Sequence, residues 1–337
     1  MHGILRLTLT SLLVSFPMLT ASHAVELPLP EAKPSGHKRI TTQLMFALVP
    51  ARDLFKQARA ATPAQPQAIG RYARGCLAGG VEIPTDGRTW QAMRLSRQRR
   101  WGHPDMIELV KRLSRDAAKY DGWPGLLVGD ISMARGGPMW PSHASHQIGL
   151  DADIWLTPMP DRRLTRRERE TLSATYMLTK NQLSINPNVW TRAHERLLKR
   201  VASYSEVERV LVHPAIKRQL CKTAGRDRAW LSKMRPVWGH NYHFHIRMKC
   251  PADNRNCRPQ QPPPTVDGCG AELARWYKRL HARLKPLNCA APENQNKRAC
   301  FCRVAANKGH ARCKRRKRRL LTLADLPNQC TRVLTTR

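Results

Sequence analysis

Acidic residues are scarce in this chain. Its 337 residues carry 24 Asp and Glu against 59 Lys and Arg, a formal net charge of +35. Such an imbalance favours an acidic partner: nucleic acid, an anionic membrane or a cell-wall polymer, and charge alone does not choose among them. Long apolar runs are missing beyond Leu19, so no later segment is suited to crossing a bilayer. There is no G-x-S-x-G elbow, which removes the common serine-hydrolase arrangement. No P-loop or Rossmann glycine pattern stands out, and there is no internal repeat. What remains is enough for a core: 41% of the residues are hydrophobic, in a length that suits one large domain or two modest ones.

The N-terminus narrows the choice of compartment. Arg6 is the only charged side chain before Glu26, and the apolar run Leu7 to Leu19 is broken by Pro17. Ser22-His23-Ala24 follows with small residues at the usual cleavage positions, so residues 1–24 read as a signal peptide cut after Ala24. Export implies an oxidising compartment, which fits ten cysteines, an even number that permits full pairing. It also makes nucleic acid an unexpected partner.

Prolines at 28, 30, 34, 63 and 66 bracket an irregular N-terminal segment, 25–68, in which Leu44 to Val49 suits either a short strand or a helix. Gly75 to Gly80 reads as a loop. Pro104 to Lys119 is the clearest helix. It has proline in the first turn, acids early, bases late, and an apolar stripe of Met106, Leu109, Val110, Leu113 and Ala117. Leu126 to Ile131 reads as a buried strand. Leu150 to Leu156 reads as a half-buried strand, its alternation placing Asp151 and Asp153 on one face. Thr165-x-x-Glu168 is a capping box that starts a helix. Helices are also expected at 191–203, 214–220, 227–234 and 270–285, with strands at 207–212 and 243–248. His243 and His245 then share a strand face, and His240 joins them only if the chain bends near Asn241. Cys257 to Thr265 is proline-rich and extended. Residues 286–337 form a basic, cysteine-rich extension. In it Cys289, Cys300, Cys302 and Cys313, with His310, suit two disulfides or a zinc knuckle, disulfides being favoured by export. The run Lys314 to Arg319 is a solvated segment or an anionic-polymer contact.

Five of the thirteen histidines fall in two short stretches, Ser142 to Asp153 and His240 to His245. Three imidazole or carboxylate ligands with an open fourth position make a catalytic zinc site. His146, Asp153 and His245 are the expected ligands, and such a zinc is hydrolytic equipment. Asp151 is expected to support a ligand by hydrogen bonding. His243 is placed to accept the proton of the attacking water, while His240 or His143 serves the oxyanion or a second metal.

Many ordered motifs resemble the penicillin-insensitive murein endopeptidases. They include Gly102-His103-Pro104-Asp105, His143-Ala144-Ser145-His146-Gln147, Gly149-Leu150-Asp151 with Asp153, Pro214-Ala215-Ile216-Lys217, Asp227-x-x-Trp230-Leu231, His243-x-His245, Cys250-Pro251-Ala252-Asp253 and Asp267-Gly268-Cys269-Gly270. The likeness runs from about Ile69 to Trp276, with a weaker echo at Leu326-Pro327 and Cys330, which sets a peptidase domain at 69–285. It implies an α+β fold like that of the lysostaphin, D-alanyl-D-alanine peptidase and hedgehog group: a central antiparallel sheet flanked by helices, with disulfides. It implies a periplasmic zinc endopeptidase of Gram-negative bacteria that cuts D-alanyl–meso-diaminopimelyl cross-links between peptidoglycan stem peptides, untouched by penicillin. The zinc ligands it implies are His146, Asp153 and His245, with His143, His240 and His243 as further active-site histidines. The disulfides it implies are Cys221–Cys269, Cys250–Cys257 and Cys76–Cys330. Two features depart from the pattern. No Asp-x-x-His, which can hold a second metal in the family, occurs from Trp155 to His213, and the insert Cys289 to Cys313 is extra. The rival expectations are a D,D-carboxypeptidase and a wall-binding protein with a vestigial site.

Overall fold

A computed structural model of the chain describes residues 48–139, 143–284 and 320–336. All lie within the unit Thr41–Arg337. The expected signal peptide, the stretch 44–47, the four cysteines from Cys289 to Cys313 and the run Lys314 to Arg319 lie outside the described residues.

The elements in chain order are α1 (Ala51–Phe55), β1 (Gln67–Arg71), β2 (Arg74–Ala78), β3 (Val81–Glu82), β4 (Trp90–Ala92), β5 (Trp101–Gly102), α2 (Pro104–Tyr120), β6 (Leu126–Val128) and β7 (Asp151–Trp155). Then come α3 (Arg166–Thr171), α4 (Arg192–Ser203), β8 (Val207–Val212), α5 (Pro214–Thr223), β9 (Met234–Pro236), β10 (His243–Met248), α6 (Ala271–Leu284) and α7 (Gln329–Thr335). Helix α2 forms where its signals lie. Pro104 occupies the first turn, the His103 ring caps Asp105 N–H, and Met106, Leu109, Val110, Leu113 and Ala117 are all buried. Thr165 and Glu168 form the expected capping box of α3. The segment 227–234 differs: only Ala229–Lys233 is helical, as a 3-10 turn.

Six strands make the central sheet, in the order β4-β6-β7-β10-β8-β9. Its middle four strands are antiparallel, and the outer pairs β4–β6 and β8–β9 are parallel. Helices flank it, and the main core lies between α2, α4, α5 and the sheet. The strand expected over 126–131 stops at Val128, where Gly129 N–H turns to donate to Asp153 O at 2.8 Å. Strand β7 is buried at all five positions rather than at alternate ones. Ala152 and Ile154 enter the apolar core, and the acidic face is covered by histidines and Arg247 instead of water.

The loop expected at 75–80 is strand as far as Ala78. Gly75 serves close packing there: a Cβ at that position would lie 2.1 Å from Ile69 O on the paired strand. A second core beside β1–β2 joins the two ends of the described chain, with Phe55 of α1 packing near Leu323, Leu326 and Val333. The structure pairs Cys76–Cys330, Cys221–Cys269 and Cys250–Cys257, the three pairs the resemblance implies.

Candidate metal centre

Strands β7 and β10 set the register of the site. Pairing places His245 opposite Asp153 and Arg247 opposite Asp151, and all four side chains point to one face. The segment before β7 folds back over that face. His146 takes a left-handed backbone conformation, φ 67°, and its N–H donates to Asp151 Oδ2 at 2.9 Å. A non-glycine residue held there stores roughly 1–3 kcal/mol of strain, a device found at functional sites.

Three donor atoms converge. His146 Nε2 lies 3.4 Å and His245 Nδ1 3.2 Å from Asp153 Oδ1, and the two ring nitrogens are 3.1 Å apart. A tetrahedral ion with ligand bonds of about 2.0–2.1 Å spaces its ligand atoms by about 3.3 Å. The far side of each ring fixes its tautomer. His146 Nδ1 donates to the Ile131 carbonyl at 2.7 Å, and His245 Nε2 donates to Asp151 Oδ1 at 2.8 Å. In the neutral rings both inward nitrogens therefore present bare lone pairs. They face Asp153 Oδ1, a buried carboxylate oxygen with no hydrogen-bond partner. Three lone pairs meeting in a buried space is an arrangement that a cation resolves, so these residues fit a metal ion. His143, His146 and Asp153 also form a group able to hold one. His143 is the outer member: its Nε2 is 2.8 Å from Asp130 Oδ2 and its Nδ1 is 3.8 Å from Asp153 Oδ2.

The remaining expected residues surround this point. His243 Nε2 is 3.7 Å from Asp153 Oδ1, and burial lowers its pKa. The chain does bend near Asn241. His240 has φ 53°, and its ring centre lies 5.0 Å from that of His243. Burial pushes the His240 pKa down to about 3. Its Nδ1 donates to Trp238 O at 2.9 Å, so the neutral ring turns an acceptor, Nε2, toward the site. The oxyanion role expected for His240 requires a second proton on that ring, since an oxyanion is met by a donor. Asp151 has the supporting position, accepting from His245, from His146 N–H and from Arg247 Nε at 2.7 Å. Burial opposes its charge, but Arg247 and His245 outweigh that and hold its carboxyl far below the usual range. Asp153 is likewise held well below that range, burial again being offset by His146 and His243.

Sequence reasoning missed Asp130. It accepts from His143, from Arg99 at 2.9 Å and from Arg97 at 3.2 Å. Burial resists its charge, yet these partners lower its pKa to about 2. An acid directly after an apolar strand and a glycine was the available signal. The site opens into a hollow of about 530 Å³ whose wall includes Arg94, Arg97, Trp155 and Tyr242. A larger hollow, about 730 Å³, lies between α4 and α5, but Glu195 is the one acid on its wall and no histidine or cysteine faces it.

Fold and site together define an α+β protein whose sheet carries imidazole and carboxylate donors suited to a metal, beneath an open cleft. The sequence profile of the penicillin-insensitive murein endopeptidases, a peptidase family, matches residues 68–335, and the chain belongs to that family. It is 41% identical over 227 residues to a penicillin-insensitive murein endopeptidase of Yersinia enterocolitica, covering 67% of this chain and 82% of that one. The Haemophilus influenzae protein of the same name is 44% identical over 212 residues, 62% of this chain and 73% of its own. One from Klebsiella pneumoniae is 41% identical over 212 residues, 63% and 77% of the two chains. No helix among the described residues is long and apolar enough to cross a membrane.

Proposed function

We propose that this protein is a zinc-dependent murein endopeptidase that hydrolyses D-alanyl–meso-diaminopimelyl cross-links in the periplasm. The observation that carries the reading is the buried triangle of His146 Nε2, His245 Nδ1 and Asp153 Oδ1, with edges of 3.1–3.4 Å. Zinc held there supplies Lewis acidity, polarising the scissile carbonyl, stabilising the charge that builds on its oxygen and making water nucleophilic near neutral pH. His243 Nε2 borders the same point and takes the proton of the attacking water. Asp151, clamped by Arg247, keeps His245 in the tautomer that turns Nδ1 inward. Asp130 does the equivalent for His143. No serine nucleophile is used, so penicillin has nothing to acylate. The leader and the cysteine count support export.

The test is digestion of purified cross-linked muropeptide dimers, read by mass spectrometry beside a metal analysis. Cleavage of dimers that stops with a chelator, returns with zinc and survives benzylpenicillin is the expected result. Trimming of pentapeptide monomers with dimers left intact would replace this reading with a carboxypeptidase, and wall binding without hydrolysis would replace it with a vestigial site.

A further inference from the structure

Two side chains beside His243 have no part in the chemistry above. Trp155 pairs with His243 across the β7–β10 ladder, and it shares the strand face of Asp153, two residues before it. Tyr242 precedes His243 in the chain, and their ring centres are 4.5 Å apart. Both line the cleft over the metal centre. The arginines of that wall are already committed. Arg94 donates to the carbonyls of Arg169, Glu170 and Leu172 at the end of α3, and Arg97 donates to buried Asp130.

The Trp155 ring is fixed from several sides. It packs with Met93, Leu127, Met159 and Leu164, and only 6% of the residue is exposed. The Arg94 guanidinium lies over its face, 5.4 Å from the ring centre. Its edge rests on Gly129, where an added Cβ would lie 3.3 Å from Nε1. A buried indole N–H usually finds an acceptor. Those of Trp90, Trp190 and Trp230 do, donating to Pro84 O, the Glu195 carboxylate and Asp227 O. Trp155 Nε1 has no acceptor among the described residues, and unlike the partnerless nitrogens of Trp101 and Trp123 it is not sealed from solvent. The Tyr242 hydroxyl likewise has no partner among the described residues, on a side chain 41% exposed. Partial burial and the nearby Asp153 carboxylate raise its pKa, so it keeps its proton and can donate. A donor already locked in place loses little entropy when it binds.

We propose that the Trp155 indole N–H and the Tyr242 hydroxyl are neutral donors that hold amide carbonyls of the murein stem peptide against the metal centre. Neutral donors suit uncharged acceptors, and the arginines that would favour a carboxylate on this wall are spent on the protein itself. The proposal rests on the endopeptidase reading for the identity of its ligand.

The test is a titration of zinc-loaded, full-length protein with an uncross-linked stem tetrapeptide, which offers no cross-link to cut. High salt screens the background of +35. The protein carries nitrogen-labelled indoles for magnetic resonance, and Trp155→Phe identifies the Trp155 signal by its disappearance. That signal should move downfield at saturation, as a proton does on entering a hydrogen bond. The Trp90 signal, from an indole already bonded to Pro84 O, should stay in place. Tyr242→Phe removes one hydroxyl from an exposed side chain, and calorimetry should give it a Kd about fivefold weaker than wild type. Amidating the carboxyls of the tetrapeptide should change the wild-type Kd by less than about twofold. A greater loss would make a carboxylate the recognised group and overturn the proposal. So would a stationary Trp155 signal at saturation, an unchanged Kd in Tyr242→Phe, or no binding by wild type. If Trp155→Phe does not fold, the Kd of Tyr242→Phe still decides. Cleavage of dimers is scored separately, so a wild type that binds in this way but cuts nothing defeats the endopeptidase reading and leaves the two donors standing.

Discussion

Asp151 and Asp153 sit two residues apart on one face of β7, yet their surroundings separate their work. Asp153 Oδ1 faces two bare ring nitrogens, whereas Asp151 receives three hydrogen-bonded partners and reaches the site through the His245 ring and the His146 backbone. His146→Ala, Asp153→Ala and His245→Ala should each lose both bound metal and dimer cleavage, checked by metal analysis and chromatography. Asp151→Asn should keep the metal but bind it about 10–100-fold more weakly, measured against a competing chelator. An unchanged affinity would mean that Asp151 does not orient His245. His243→Ala should retain the metal and lose about 10²–10⁴-fold in kcat. The two stretches of histidine were readable because metal ligands are chemically distinctive and the strand period of two puts alternate residues on one face. Asp130 carried only a faint signal, an acid after an apolar strand and a glycine, and its pairing with His143 is a tertiary contact that local pattern does not encode.

Among the elements, strand and helix positions with strong local signals were legible: α2 from its proline and stripe, α3 from its capping box, β10 from its alternation. Sheet order was not, since the β7–β10 pair joins residues about ninety apart and only the folded core selects it. The glycines at 75–80 misled for a related reason: Gly75 answers to a neighbouring strand, not to a turn. The disulfides act at this scale. Cys76–Cys330 spans 254 residues and ties α7 to β2, Cys221–Cys269 spans 48, and Cys250–Cys257 spans 7. In the chain-entropy view the longest loop restrains the unfolded chain most. Cys76→Ala/Cys330→Ala should therefore cost about 2–5 kcal/mol, and Cys250→Ala/Cys257→Ala less. Calorimetry of the two paired variants at one pH checks the order.

For the whole molecule, +35 of formal charge means that each added proton raises a self-repulsion already present. Stability should fall with acid in two stages. In the first, buried histidines matter. Burial lowers the His213 pKa to about 4, and its Nε2 has no partner. The unfolded ring titrates near 6.5, so below that pH the unfolded state binds a proton the folded state refuses, and stability drops as pH falls from about 6.5 toward 4. In the second stage Asp130, with its pKa lowered to about 2, and the more strongly depressed Asp151 and Asp153 contribute stability present above the unfolded carboxylate value of about 4. That contribution is lost as pH falls through about 2 and below. His213 isolates the first stage. Its Nδ1 caps α5 by accepting from Ala215 N–H at 3.1 Å, a task that asparagine also performs without a titrating ring. Between pH 7 and pH 5 the wild type should lose about 2 kcal/mol through this one group, and His213→Asn should remove that share of the slope. Urea unfolding at the two pH values measures it. An equally steep loss in the variant would assign the acid sensitivity to net charge instead of to the buried imidazole.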